Sequence, residues 1–216
     1  MKIGIIGGTG NEGAGLAVRW ALAGHEILIG SRDAERARAK AAELQALIPG
    51  RSIAGESNRR AVALAEIVVL AAPWTGLAQT LPELRDACRG KAVVSTVVPL
   101  TFEGGSLRFT PPAAGSAAQD AHVLLGGEAR VVAAFHHIAA HELAATTHAI
   151  DSDLLLCGDD TAAKRQVAAL GESLGLRAID VGALSNAGPL EGITAVLATI
   201  NRRYKVKSAG IRITGI

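Results

Sequence analysis

A chain of 216 residues with 49% apolar side chains can bury one core of ordinary size; with only 3% aromatics, that core is mostly Ala, Val, Leu and Ile. The 22 Lys+Arg against 20 Asp+Glu leave a net charge of +2, which excludes a general pull toward nucleic acid or an anionic membrane surface. No uncharged apolar run approaches the roughly 18 residues of a bilayer span, and Cys88 and Cys157 fit no metal or redox spacing, so a soluble cytoplasmic protein with free buried thiols is expected.

The chain begins with a short apolar run, Ile3 to Ile6, too brief for a signal-peptide core. It enters the turn Gly7-Gly8-Thr9-Gly10-Asn11-Glu12-Gly13, then a helical segment, then a second apolar run, Ile27-Leu28-Ile29, closed by Gly30-Ser31-Arg32. Residues 8–13 match G-x-G-x-x-G. In that reading Gly8 permits the tight turn, Gly10 lets a pyrophosphate approach the backbone, and Gly13 lets the helix pack closely. The N–H groups of Asn11 and Glu12, at the helix start, then hold the phosphates. A purely structural glycine turn is the competing reading. The position after a strand and before a helix argues against it.

The end of the second strand chooses the nucleotide. NAD binders usually place an acidic residue there for the ribose 2′-hydroxyl, whereas this chain has Ser31-Arg32. Asp33 comes late and fits better as the cap of the helix that follows. Arg32 can pair bidentately with a 2′-phosphate, and Arg36, with the hydroxyls of Thr9 and Ser31, can complete an anion pocket. NADP(H) is the expected cofactor, against the plainer reading of Arg32 and Arg36 as solvated helix charges.

A helix over 33–47 ends at Pro49-Gly50, and a short strand at 52–55 and a helix at 58–65 follow. Residues 66–72 form a continuous apolar run, as expected of a parallel strand covered on both faces, and stop at Pro73-Trp74. A helical region containing Pro82 leads to a fifth strand over 91–98, closed by Pro99. Pro73, Trp74 and Val98 thus stand at the ends of strands four and five, where a nicotinamide would lie, although Trp74 reads equally well as packing. Residues 101–115, with Gly104-Gly105 and Pro111-Pro112, read as a loop, a lid or a crossover. Then come a helix at 116–125, a strand at 130–135, the His-rich segment 136–148, a strand–helix–strand unit over 152–181 and a final helix at 185–204. No repeat or low-complexity tail is present.

Such alternation predicts an α/β fold: a doubly wound Rossmann-type, mostly parallel sheet of about eight strands with a small helical C-terminal part. Residues 1–150 are expected to form the NADP-binding domain. Residues 151–216 are expected to form a smaller part that completes the sheet.

His137 and His141 stand at i, i+4, as in a zinc helix, but the order does not match H-E-x-x-H and no third ligand is placed. No metal is expected; His136 is read as ending a strand at the cleft. Reductases of small keto acids or imines need a proton donor at the reacting heteroatom. The only tyrosine is Tyr204, and the lysines after Lys91 are Lys164, Lys205 and Lys207. Hydride transfer between two carbon centres needs no such donor.

Taken together, Gly7-Gly8-Thr9-Gly10-Asn11, Gly30-Ser31-Arg32, Pro73-Trp74, Val97-Val98-Pro99, Cys157-Gly158-Asp159-Asp160 and Leu184-Ser185-Asn186 resemble the NADPH-dependent coenzyme F420 reductases (F420:NADP oxidoreductases). The resemblance implies reversible hydride transfer between the nicotinamide C4 of NADPH and C5 of the deazaflavin F420, usually in a homodimer. It implies that Thr9, Gly10, Asn11 and Glu12 bind the pyrophosphate, and that Ser31, Arg32 and Arg36 bind the 2′-phosphate. Trp74, Val98 and Ala140 would border the nicotinamide, with His136 and Ile138 on the deazaflavin face of a C-terminal pocket. At 136–139 this chain has His-His-Ile-Ala where archaeal members carry His-Thr-Ile-Pro. The alternatives are an NADP-dependent reductase of a small imine or keto acid, and a non-catalytic NADP-sensing protein.

Overall fold

The computed structural model describes residues 1–216. In chain order it contains β1 (Lys2–Ile6), α1 (Asn11–Leu22), β2 (Glu26–Ser31), α2 (Ala34–Leu47), β3 (Ile53–Ser57), α3 (Asn58–Leu64) and β4 (Ile67–Leu70). The broken helices α4 (Leu77–Thr80) and α5 (Arg85–Cys88) follow, then β5 (Ala92–Ser95), β6 (Leu100–Glu103), β7 (Ser106–Phe109), α6 (Ala117–Leu124) and β8 (Arg130–Ala134). The remainder is α7 (Ala140–Ala144), β9 (Asp153–Gly158), α8 (Thr161–Glu172), β10 (Arg177–Asp180) and α9 (Ala187–Tyr204).

One sheet of eight strands runs in the order β10-β9-β8-β5-β4-β1-β2-β3. All neighbours are parallel except β8 and β9, where Ala134 faces Leu156 in an antiparallel register. The central strands are buried along almost their whole length because helices cover both faces, hence the unbroken runs of Ile, Val and Leu. One face packs against α1, α2 and α8, with Leu16, Trp20, Leu44, Val167 and Leu170 in the core. The other packs against α3, the α4–α5 segment, α6 and the start of α9. The expected fold class is therefore the observed one, and β9 and β10 extend the same sheet past β8.

Local capping explains several helix starts. Asp33 accepts from the N–H groups of Glu35 and Arg36, Ser57 from Arg60 and Ser116 from Gln119. Pro82, which lacks an N–H, opens the 3-10 turn that separates α4 from α5.

Two expectations change. Residues 101–115 do not form a plain loop, because β6 and β7 make a two-stranded antiparallel hairpin with Leu100 opposite Phe109. Gly104 and Gly105 turn it, with φ of 56° and 74°, the left-handed conformation a two-residue hairpin needs. The fourth and fifth strands also end early, at Leu70 and Ser95. Beyond those points the chains leave the sheet, as expected at the carboxyl ends of parallel strands where the order switches.

The C-terminal tail is held by an ion cluster around one buried carboxylate. The Asp153 carboxylate has no exposed surface and takes Arg177 at 2.6 Å, Arg212 at 3.1 Å and the Ile213 N–H at 2.7 Å. The Arg177 guanidinium, then the Ile213 N–H and Arg212, hold this carboxyl well below the usual carboxylate range.

Candidate functional site

The carboxyl ends of β1 and β4 open a cleft of about 720 Å³. It runs from Ser31, Arg32 and Arg36 past the glycine turn to Trp74, Thr96, Val98, His136 and Thr194.

The turn is built for close approach. Gly7 has φ of 85°, and a Cβ there would lie 2.5 Å from the backbone of Ala72, so this position tolerates only glycine. The left-handed residue of the turn is thus Gly7 rather than Gly8. Gly8 instead lies against Ile5 and Ile29, with room for a Cβ only at 3.1–3.2 Å. A Cβ on Gly13 would meet the Cα of Gly8 at 2.7 Å, which lets α1 sit directly on the turn. At Gly10 a Cβ would meet only the Gly7 carbonyl, at 3.5 Å, so the rest of that space stays open. The N–H groups of Asn11 and Glu12 donate to no group of the chain. Free N–H donors at a helix start, beside open space, suit a pyrophosphate.

At the outer lip Arg32 and Arg36 are exposed. Arg32 donates to the Gln79 side chain at 3.2 Å, and the Ser31 hydroxyl accepts from the Asp33 N–H at 3.2 Å. Asp33 caps α2, as its spacing suggested, and so makes a poor ribose acceptor. Two guanidinium groups and the hydroxyls of Thr9 and Ser31 leave the lip cationic, which suits a 2′-phosphate.

The inner half is assembled differently. Phe135, the residue after β8, has φ of 69°, an uncommon conformation for a bulky side chain. It is held there by burial and by an edge-on contact with Trp20, ring centres 5.4 Å apart. That twist follows the last strand residue and puts His136 at the cleft. Thr194, on α9, donates to the His136 carbonyl at 3.0 Å. Neither ring nitrogen of His136 has a partner, although both are buried. Burial, and next His137, push its pKa down to about 3, so near neutral pH the ring is uncharged with one N–H to donate.

His137 turns the other way and bonds the Asp153 carbonyl at 2.8 Å. His141 is exposed and approaches only Glu142, at 3.9 Å, so the i, i+4 pair does not converge. No three His, Cys, Asp or Glu side chains are arranged to hold a metal ion. Ile138 packs into the core, and Ala140, at the start of α7, is half-buried; neither lines this cleft. Pro73 and Trp74 do line it, and Trp74 is 37% exposed.

Several lining residues carried no local signal in the sequence, among them Asn58, Thr96 and Thr194. Thr96 N–H and hydroxyl both donate to the Leu70 carbonyl at 3.1 Å, tying the ends of β4 and β5 together. Only the folded sheet brings α9 to His136.

Helix α1 joins the two halves. A Cβ on Gly15 would meet Leu143 at 2.7 Å, so α1 and α7 pack at near-backbone distance. The Arg19 guanidinium donates to the carbonyls of Leu143, Glu142 and Ala145 at 3.1, 2.6 and 2.5 Å. It thereby caps the carboxyl end of α7.

Comparison with known proteins gives the family and a matching fold. The family described as NADP oxidoreductase coenzyme F420-dependent matches residues 2–99. The F420-dependent NADP reductase of Methanothermobacter thermautotrophicus is 42% identical over 100% of the chain and 96% of its own length. The protein of the same name from Methanocaldococcus jannaschii is 37% identical over 100% of this chain and 99% of its own. A solved structure assigned as an F420-dependent NADP-reductase, from Arthrobacter sp. FB24, superposes with a TM-score of 0.84 at 27% identity, covering 100% of both chains.

Proposed function

The chain belongs to the coenzyme F420-dependent NADP oxidoreductase family, and from that premise we propose how its cleft seats NADP(H) and coenzyme F420. The activity is reversible hydride transfer between these two carriers. The observation that carries the assignment of roles is the division of the cleft. Free N–H donors and paired arginines lie at one end; an uncharged, unpartnered histidine lies at the other.

Thr9, Gly10, Asn11 and Glu12 hold the pyrophosphate through the open turn. Ser31, Arg32 and Arg36 hold the 2′-phosphate, which sets the preference for NADP over NAD. Pro73, Trp74 and Val98 border the nicotinamide, and His136 faces the second ring. Ile138 and Ala140 support that region from behind, through the core and the start of α7. With both carriers bound, the chemistry supplied is a hydride passing between nicotinamide C4 and deazaflavin C5. The residues of the chain contribute position, exclusion of water and a fixed donor. Stacked rings need their reacting carbons within about 3–3.5 Å. In the direction that reduces the deazaflavin, the neutral His136 N–H would stabilise the negative charge arriving on that ring, with the completing proton taken from solvent. No side chain need be strictly catalytic.

Residues 1–150 form the nucleotide-binding part in this reading, and 151–216 the part that completes the sheet and, through Thr194, the deazaflavin pocket. A homodimer is supported by apolar side chains left exposed along the β6–β7 hairpin and α9, namely Phe102, Leu107, Val196 and Tyr204. No helix is long and apolar enough to cross a membrane. A cytoplasmic setting is supported by two free thiols, Cys88 and Cys157, whose burial pushes them up to about 11 and about 12. The test is to mix protein, NADPH and F420 and follow the deazaflavin absorbance. Bleaching is expected; an unchanged spectrum with normal NADPH binding would overturn the assignment.

A further inference from the structure

The side chain of Glu12 has no role in the account above, which uses only its N–H. One carboxyl oxygen is buried and has no partner. A carboxylate in such a place is costly unless it is protonated or meets a positive group. Burial pushes its pKa up to about 7; the neighbouring Thr96 hydroxyl opposes this only in part, its hydrogen already going to the Leu70 carbonyl. Thr96 follows β5, on the opposite side of β1 from β2 and Arg32. The carboxyl therefore leans away from the 2′-phosphate lip, toward the half of the cleft that takes the nicotinamide.

Charged groups on the surrounding elements do not answer it. His136, on the segment after β8, is uncharged near neutral pH. On α7, which packs against α1, Glu142 pairs with His148 at 2.8 Å and with His141 at 3.9 Å. On α9, Glu191 accepts from the N–H groups of Ala117 and Ala118. Arg32, Asp33 and Arg36 sit at the far lip, and the ends of β1, β4 and β5 bring no ionisable residue into the cleft.

Given that the cleft holds NADP(H), we propose that the Glu12 carboxyl distinguishes the two redox states of the nicotinamide, favouring NADP+ over NADPH when it is ionised. The oxidised ring is a cation and the reduced ring is neutral, so only the former attracts a nearby negative charge. The pyrophosphate and 2′-phosphate are common to both nucleotides, and their interaction with Glu12 cancels in the comparison. By linkage, NADP+ binding near neutral pH expels a proton that NADPH binding leaves in place.

The test is equilibrium binding of NADP+ and of NADPH to the intact protein from about pH 5.5 to 8.5, spanning the carboxyl's titration. The ratio Kd(NADP+)/Kd(NADPH) is expected to fall by about tenfold as pH rises, the scale of one charge a few ångströms away at intermediate dielectric. In Glu12→Gln the ratio should stay flat, with Glu12→Leu as a second uncharged variant. A flat ratio in the wild type, or a slope that survives both substitutions, overturns the proposal. A purely structural role for Glu12 also fails it, since that would move both affinities together. Absence of binding by either nucleotide would overturn the function proposed above, and this inference with it.

Discussion

The two halves of the cleft are built on different plans. The half proposed for the phosphates is one continuous stretch from β1 to the first turn of α2, its turn and caps set by neighbours in sequence, with Ala72 and Gln79 packed against it from outside. The half proposed for the rings is gathered from Thr96, His136 and Thr194, which line one cleft only because the fold brings the ends of β5 and β8 and helix α9 together. A local site carries its own conformational code in glycines and caps. A gathered site inherits its precision from packing elsewhere. Substitutions should therefore act differently in the two halves, and four measurements test that contrast.

The largest effect is expected at the turn. Gly7→Ala forces a Cβ to within 2.5 Å of Ala72 at a positive φ and must displace either the turn or the segment that follows β4. NADPH affinity should fall by about 100-fold, as a local strain of a few kcal/mol would produce. Near-normal affinity would mean that the turn is more pliant than its contacts indicate.

Next comes Arg32→Ser. Losing a charge-assisted contact to the 2′-phosphate should weaken NADPH by about 30-fold and leave NADH within about twofold. Equal effects on the two nucleotides would remove the phosphate-pocket argument.

His136→Ala should slow hydride transfer by about tenfold while NADPH affinity stays unchanged, because one neutral donor is lost from a site that works mainly by positioning. Complete loss of turnover with intact binding would make this histidine catalytic in the strict sense.

The smallest effect at the cleft belongs to the clasp around Asp153. Its folded carboxyl titrates below its unfolded value, so the stability it contributes is present above the ordinary carboxylate range, near pH 4, and is lost as pH falls toward the lowered value. Denaturant melts from about pH 5 downward should show this loss in the wild type and a flatter acid limb in Asp153→Asn. NADPH binding at neutral pH should change little; a large change would show that the tail and cleft are not independent.

The same contrast explains what could be read before folding. The strand–turn–helix–strand opening, Asp33 as a cap and the cationic lip follow from residues within a few positions of each other. Strand existence was equally plain in the apolar runs, because both sheet faces are covered. The ends of β4 and β5 were overdrawn because Ala71, Ala72, Val97 and Val98 are as apolar as the strands they leave. Gly104-Gly105 looked like loop composition, although short alternating arms on either side mark a hairpin. Which glycine carried the positive φ was hidden because Gly7 and Gly8 are adjacent and chemically identical. Thr194 could not be seen, since nothing near it in sequence refers to His136.

Helix α1 also behaves as a strut. It is 12 residues long, about 18 Å at the usual helical rise. Its first turn is the one proposed to meet the phosphates, and Arg19, near its other end, grips carbonyls at the carboxyl end of α7. In the proposed seating the helix therefore ties the pyrophosphate end directly to the segment that follows His136. Alignment of the two rings would then rest on one stiff, short member rather than on a chain of loops. Lengthening or softening that member would blur the alignment without touching a single contact to either carrier.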